Sequence, residues 1–472
     1  MIMFDRRLLQ SFGWSLFLMT LAFVALSLMN LYSASYQTGL GYFKKVRITN
    51  EPGSSPDRVV INVEVEDQPT GNFSVSGGYS TSDGFIAEVS VSESNFMGRG
   101  QYVRAAATIG QRTKGLEFNF TEPYFLDTRV AVGFDLYVKK NTTSKYSVYN
   151  STTAGATLRA AIPLTDEITL APRYSIYSTY LSIPNDTKHP YNDCTYPIPG
   201  ITPGPTGFFP ASIFVNCASN GEASIAIKAQ QGTTLTSLFG YTIAYSTLDN
   251  PKKPTDGIYA ALNQDVAGAG GDSRFVRTTG EARYYKEILD NVVAFARVQG
   301  GNMFGIGGYK LRVTDQFNPG PSLVRGFAPG GIGPRDISNP FNQKGNSLGG
   351  SNYIGASVET QFPIFGMPRE LGLKGALFAD AGTVWGYKGR TNFTTANDIM
   401  LYGAGALNAA GCIPAYAAAP WFGPGSCLSV GGDTKKIRAS VGASLLWDSP
   451  MGPIRFDFAK ALSKSSYDQT QF

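Results

Sequence analysis

The sequence predicts an all-β transmembrane protein: a 16-stranded-type antiparallel outer-membrane β-barrel with a truncated last strand, preceded by an apolar helix and a short hairpin. Three observations predict it. Charged residues make up only 16% of the chain, whereas aromatics reach 12% and glycine contributes 54 residues; a soluble domain carries roughly 25% charge. Mean hydropathy is −0.09, too low for a bundle of membrane-spanning helices and suited to strands with one apolar and one polar face. From Asn72 onward apolar and polar residues alternate with period two, in segments of about ten residues with short and long connections in turn. In a soluble sandwich the apolar face would be a core; this rhythm of connections favours the barrel.

In chain order, residues 1–36 read as an apolar helix. Asp5-Arg6-Arg7 precedes an uncharged stretch from Phe12 to Ala34. That is long enough for a spanning helix of about 20 residues and exceeds the apolar region of a usual signal peptide, about 7–15 residues. Ser33-Ala34-Ser35 offers small residues for cleavage. Phe4-Asp5-Arg6-Arg7-Leu8-Leu9 through Asn30-Leu31-Tyr32-Ser33-Ala34-Ser35 resembles the start of the RodA family of inner-membrane glycan polymerases. None of that family's later helices follows, so the resemblance implies a fused or mis-joined start and not polymerase function; a divergent signal segment is the other reading.

Residues 37–70 change character. Lys45–Thr49 and Arg58–Glu66 are β-rich and flank Glu51-Pro52-Gly53-Ser54-Ser55-Pro56-Asp57, a turn by composition. The pair resembles the last two strands of a POTRA domain, a periplasmic module, without its helices or first strand. Two strands alone are a marginal unit.

Residues 71–472 carry the barrel. Val132, Phe134, Leu136 and Val138 alternate with Asp135 and Lys139; Ile437, Val441 and Leu445 alternate with Arg438, Ser440 and Ser444; Ile454, Phe456 and Phe458 alternate with Arg455 and Asp457. About fifteen such strands are expected, with long polar connections near 182–232, 305–350 and 388–434 on the outer surface and short turns such as Pro163-Leu164-Thr165-Asp166 at the other end. Glu222–Gln230 can form a short helix. The final Asp468–Phe472 reads as the stump of a sixteenth strand, because a transmembrane strand needs about 9–11 residues.

The four cysteines fall in two loop-bound pairs, Cys194 with Cys217 and Cys412 with Cys427. Without Cys-x-x-Cys spacing, and with His189 as the only histidine, they read as two structural disulfides and not as a metal site. No catalytic site, cofactor or metal is expected: a single histidine leaves no Ser-His-Asp triad. Gly305-Ile306-Gly307-Gly308 lacks the Lys-Ser/Thr that a phosphate cradle needs. A net charge of +5 without a basic run excludes a nucleic-acid partner.

One constellation stands out. Val324-Arg325-Gly326-Phe327 sits in the long loop that precedes two strands. In the first, Ile354, Ala356 and Val358 take one face, leaving Ser357, Glu359 and Gln361 on the other. In the second, Leu373, Leu377 and Ala379 oppose Lys374, Phe378 and Asp380. Period two therefore places Glu359 and Asp380 in the lumen on neighbouring strands, as partners for a guanidinium fork.

These residues resemble the BamA family of outer-membrane protein assembly factors. Val324-Arg325-Gly326-Phe327 matches the loop motif of that family. Phe378-Ala379-Asp380-Ala381-Gly382-Thr383-Val384-Trp385 matches the strand whose Phe and Asp receive it, and Glu359 stands where a second acidic partner is expected. Trp447-Asp448-Ser449-Pro450-Met451-Gly452-Pro453-Ile454-Arg455-Phe456 matches a further shared segment. The resemblance implies insertion of nascent β-barrels into the outer membrane through a lateral seam, with Gly77 and Gly78 weakening the first strand at its edge. The implied partners are outer-membrane lipid and unfolded barrel clients. Lipoproteins that dock on POTRA modules are not expected to bind where those modules are largely missing. The competing class is a passive channel or two-partner-secretion transporter, which shares the loop motif. With a partial hairpin at one end and a stump at the other, the chain as written is expected to be incomplete and not to replace the intact factor in cells.

Overall fold

The computed structural model describes residues 43–52, 59–80, 84–186, 189–190, 223–338, 345–364, 366–368, 371–394, 407–412, 426–449 and 452–471. The expected helix at 1–36 and the cysteines Cys194 and Cys217 lie outside them. Among the described residues no helix is long and apolar enough to cross a membrane, which says nothing of spanning strands.

The β-rich runs at the start pair with each other: β1 (Phe43–Pro52) and β2 (Val59–Asp67) form a separate antiparallel hairpin with Ile48 opposite Val63. The barrel follows as β3 (Gly71–Ser80), β4 (Gly84–Phe96), β5 (Gln101–Gly110), β6 (Thr113–Glu122), β7 (Ala131–Asn141), β8 (Asn150–Pro163) and β9 (Ile168–Ser182). It continues as β10 (Gly232–Ser246), β11 (Gly257–Gly271), β12 (Phe275–Leu289), β13 (Val292–Gly305), β14 (Asn352–Pro363), β15 (Leu373–Trp385), β16 (Arg438–Ser449) and β17 (Gly452–Ser463). These fifteen strands make one sheet in which each pairs with its sequence neighbours, all antiparallel.

Two faces follow from the period-two pattern. Leu116, Leu158, Val358, Leu377 and Phe458 are exposed on the outside, while Asp135, Asp265, Glu359 and Asp380 point inward to arginines. An apolar belt of this extent on the exterior of a nearly closed sheet is a lipid-facing surface. Charges that water would otherwise solvate are paired in the lumen: Arg159 donates to Asp135 at 2.9 Å, and Asp265 lies between Arg173 and Arg277.

The strands flanking the three long connections, 183–231, 306–351 and 386–437, open at one end of the barrel, which also carries the short turns 111–112 and 272–274; the connections at the other end are all of ten residues or fewer. The long ones pack on each other. Leu181, Ile183, Ala226, Ile227, Val313, Leu348 and Leu428 form a buried cluster, and three two-residue strands, Arg335–Asp336, Asn346–Ser347 and Val430–Gly431, join two of the loops in a small sheet. Within the expected helical stretch, α1 (Ile225–Lys228) is started by Ser224, whose Oγ accepts from the Ala226 N–H at 3.2 Å.

Residues 468–471 depart from the expected stump. They do not extend the barrel sheet; Thr470 forms an antiparallel bridge with Phe327 of the long loop instead. The physical reason lies in two unsatisfied requirements, a backbone that needs partners away from water and an Asp468 carboxylate that finds Arg438 in the interior.

Candidate functional site

The loop between β13 and β14 turns back against the barrel wall. Leu323, Val324, Phe327 and Ile332 are buried with Val384 of β15, and Tyr353 and Ala461 pack against them. Gly326 sits at φ +85°, and a Cβ there would lie 3.0 Å from the Cβ of Ala459 on β17, so this position takes glycine both for its backbone and for its closeness to the strand.

That turn delivers Arg325 to the wall. Its Nε and Nη2 donate to the two oxygens of Asp380 at 2.7 Å each, its backbone N–H adds a third bond at 3.0 Å, and Nη1 donates to Glu359 Oε2 at 2.5 Å. Ser357 Oγ accepts from Nη2 at 3.1 Å and donates to Asp380 Oδ1 at 2.6 Å. The guanidinium carbon stands 3.5 Å from the centre of the Phe378 ring, a cation–π contact. Glu359, Phe378 and Asp380 are all buried. Burial opposes the charge on Arg325, yet its hydrogen bonds to Asp380 and Glu359 outweigh that and raise its pKa above the ordinary arginine value.

A second arginine escaped the sequence reading. Arg455 of β17 donates to both oxygens of Glu359, at 2.9 and 2.6 Å, and to Asp457 at 2.8 Å. Its inward parity was readable; that β17 lies close enough to share Glu359 was not. The same holds for Arg438 of β16, which is fully buried and grips Asp468 through Nε at 3.0 Å and Nη2 at 3.1 Å, while Nη1 reaches Thr383 Oγ1 at 2.9 Å. The arrangement is a set of directional locks. It places no nucleophile beside a base, and among the described residues no acidic, cysteine and histidine group could hold a metal ion.

Gly77 and Gly78 lie in β3, the first strand of the sheet. They pair with Ala87 and Ile86 without a register shift, so they are not a bulge, and a Cβ on Gly78 would meet nothing within 4 Å. Space therefore does not require either glycine. With Ser76, Tyr79, Ile86, Glu88 and Thr108 they line a cleft of about 330 Å³. β3 and β17 are the two ends of the sheet order, and no backbone ladder between them is found among the described residues.

In the outer loops Cys412 and Cys427 are joined by a disulfide across a sequence separation of 15. Closing a loop of that length stabilises by about 3 kcal/mol in the chain-entropy account. Reduction, or Cys412→Ser, is therefore expected to loosen this loop by that order while leaving the strands intact. Proteolytic nicking of the loop under non-reducing and reducing conditions measures it, and equal nicking rates would refute it.

A model of the Omp85 superfamily domain matches residues 95–472. The chain belongs to the Omp85 superfamily. Every lock described above lies within the matched stretch, and Gly77 and Gly78 precede it. This Omp85 chain is 26% identical over 450 residues to the outer membrane protein assembly factor BamA of Neisseria meningitidis serogroup B, covering 92% of the chain and 50% of that protein. It is likewise 26% identical over 433 residues to BamA of Neorickettsia risticii, covering 92% and 48%. The chain thus spans about half the length of the curated relatives it matches. In fold it is similar to the crystal structure of BamA from Haemophilus ducreyi lacking POTRA domains 1–3, with a TM-score of 0.65 at 20% identity, over 91% of this chain and 74% of that one. The barrel is an outer-membrane barrel of the BamA type.

Proposed function

We propose that this Omp85 barrel assembles and inserts other β-barrel proteins into the outer membrane. The observation that carries the reading is the pair of strand edges, β3 and β17, left unladdered in an otherwise continuous sheet of fifteen strands. An unpaired backbone group in lipid costs several kcal/mol, and an open edge templates an incoming strand. Client strands would add at this seam, beginning at an edge that Gly77 and Gly78 leave weakly held. The relatives named as assembly factors support it. No covalent step, metal or cofactor enters this activity, so it is not enzymatic. Its partners are lipid and unfolded barrel clients; docking of lipoproteins would call for POTRA surface beyond the β1–β2 hairpin.

The test is client folding. The protein reconstituted in lipid vesicles should fold a small, urea-unfolded barrel client several-fold faster than protein-free vesicles, read by the heat-dependent gel mobility of the client. Gly77→Val with Gly78→Val, which strengthens the edge by roughly 0.5–1 kcal/mol per glycine removed, should slow it. Client folding no faster than in empty vesicles would end the proposal.

A further inference from the structure

Beyond Ser463 the chain leaves β17 and enters the barrel end, where it makes contacts that neither the seam nor the Arg325 anchor uses. The Ala328 N–H donates to the Gln469 carbonyl at 2.9 Å, the Gln469 N–H to the Gly331 carbonyl at 2.9 Å and the Gln471 N–H to the Gly326 carbonyl at 3.0 Å. Residues 469–471 thus run along residues 326–331, joined to them by these bonds and the single Phe327–Thr470 bridge, directly behind the Arg-Gly-Phe turn. Asp468 pins this segment at its root. Both it and Arg438 have no side-chain exposure, and the Arg438 fork is completed by the carbonyls of Thr434 and Lys436.

The loop is also tied to β17 at other heights. Arg455 reaches Glu359, the acid that Arg325 holds. Gly326 rests on Ala459, and Ala461 packs on the cluster of Leu323 and Phe327. β17 is one of the two unladdered edges. Its side chains therefore run alongside the loop, and its continuation closes over the loop tip.

We infer that residues 465–471 form a latch, locked by Arg438 and Asp468, that couples the terminal strand β17 to the pinned loop. The loop tip cannot leave the wall while the latch is made, and any displacement of β17 at the seam is transmitted to the loop through Asp468, Gln469 and Gln471. Asp468 and Arg438 are positioning residues in this scheme; they touch neither client nor lipid. The coupling to client entry rests on the assembly function proposed above, whereas the latch itself rests on geometry alone.

Hydrogen exchange read by mass spectrometry on the purified full chain in detergent tests it without a client. In Asp468→Asn, amides of residues 326–331 should exchange at least about tenfold faster than in the parent protein, with β14 and β15 unchanged, because opening would be local. Gln471→Pro removes one donor to Gly326 without touching the buried pair, and it should deprotect the same loop residues if Asp468→Asn fails to fold. Heat-dependent gel mobility establishes which variants are folded. A folded variant of either kind whose loop amides remain as protected as the parent's would overturn the latch. Loss of client folding in the parent protein itself would instead count against the assembly function and leave the exchange result standing.

Discussion

Arg325→Ala is expected to destabilise the barrel by about 3–5 kcal/mol, the usual consequence of leaving a buried charge without its partner. Asp380 would lose two hydrogen bonds and Glu359 one, while the backbone N–H at position 325 remains to donate to Asp380. Their side chains are 3% and 0% exposed with the guanidinium in place; Arg325 itself is 17% exposed, so water entering its space sets the loss toward the lower end of that range. Arg455 stays on Glu359 and holds that carboxylate, which makes Asp380 the site of most of the loss. Arg325→Lys should recover only part of it, because an ammonium cannot span both oxygens of Asp380 and reach Glu359 together. Urea titration of the folded, heat-modifiable form measures both variants. An alanine variant within about 0.5 kcal/mol of the parent, the range of an ordinary surface change, would mean that the apolar cluster of Leu323, Val324 and Phe327 holds the loop alone.

Removing the other buried fork should have an effect of similar size. Arg438→Ala leaves the Asp468 carboxylate in a site with no side-chain exposure, again a loss of about 3–5 kcal/mol. The informative comparison is the pair replaced together. Arg438→Met with Asp468→Val removes both charges and nearly keeps the summed volume, and buried ion pairs exchanged in this way are often neutral. The double variant should therefore be more stable than either single one, so the coupling energy in the cycle must exceed the larger single loss, about 3–5 kcal/mol. Simple additivity of the two single losses would show that Arg438 acts through its bonds to Thr383 and the loop carbonyls and not through Asp468.

The Arg325 constellation was legible because strand periodicity is a rigid code. Once Ile354 and Val358 are assigned to lipid, Ser357 and Glu359 have only the lumen left, and Leu377 does the same for Phe378 and Asp380. The alternation likewise marked Arg438 and Arg455 as inward, yet it could not say what they meet. Parity is local to a strand, whereas a partner depends on barrel curvature and on where a loop comes to rest. Asp468 shows the limit most plainly. Read along the chain it begins a strand; in the fold its carboxylate answers Arg438 and its neighbours answer the loop backbone.

By itself, then, the sequence determined the strand count near fifteen, the end of the barrel that carries the long loops, the lipid and lumen faces, and the two carboxylates facing the Arg325 loop. All of these follow from short-range rules: side-chain alternation, the length needed to cross a bilayer, and turn composition. Only the tertiary structure decided that β17 shares Glu359 through Arg455, that Gly326 needs room against Ala459, and that residues 469–471 close over the loop instead of lengthening the sheet. Those outcomes hinge on contacts between segments about a hundred residues or more apart in the chain, such as Phe327 with Thr470. There the need to satisfy buried charge and backbone polar groups outweighs local strand preference.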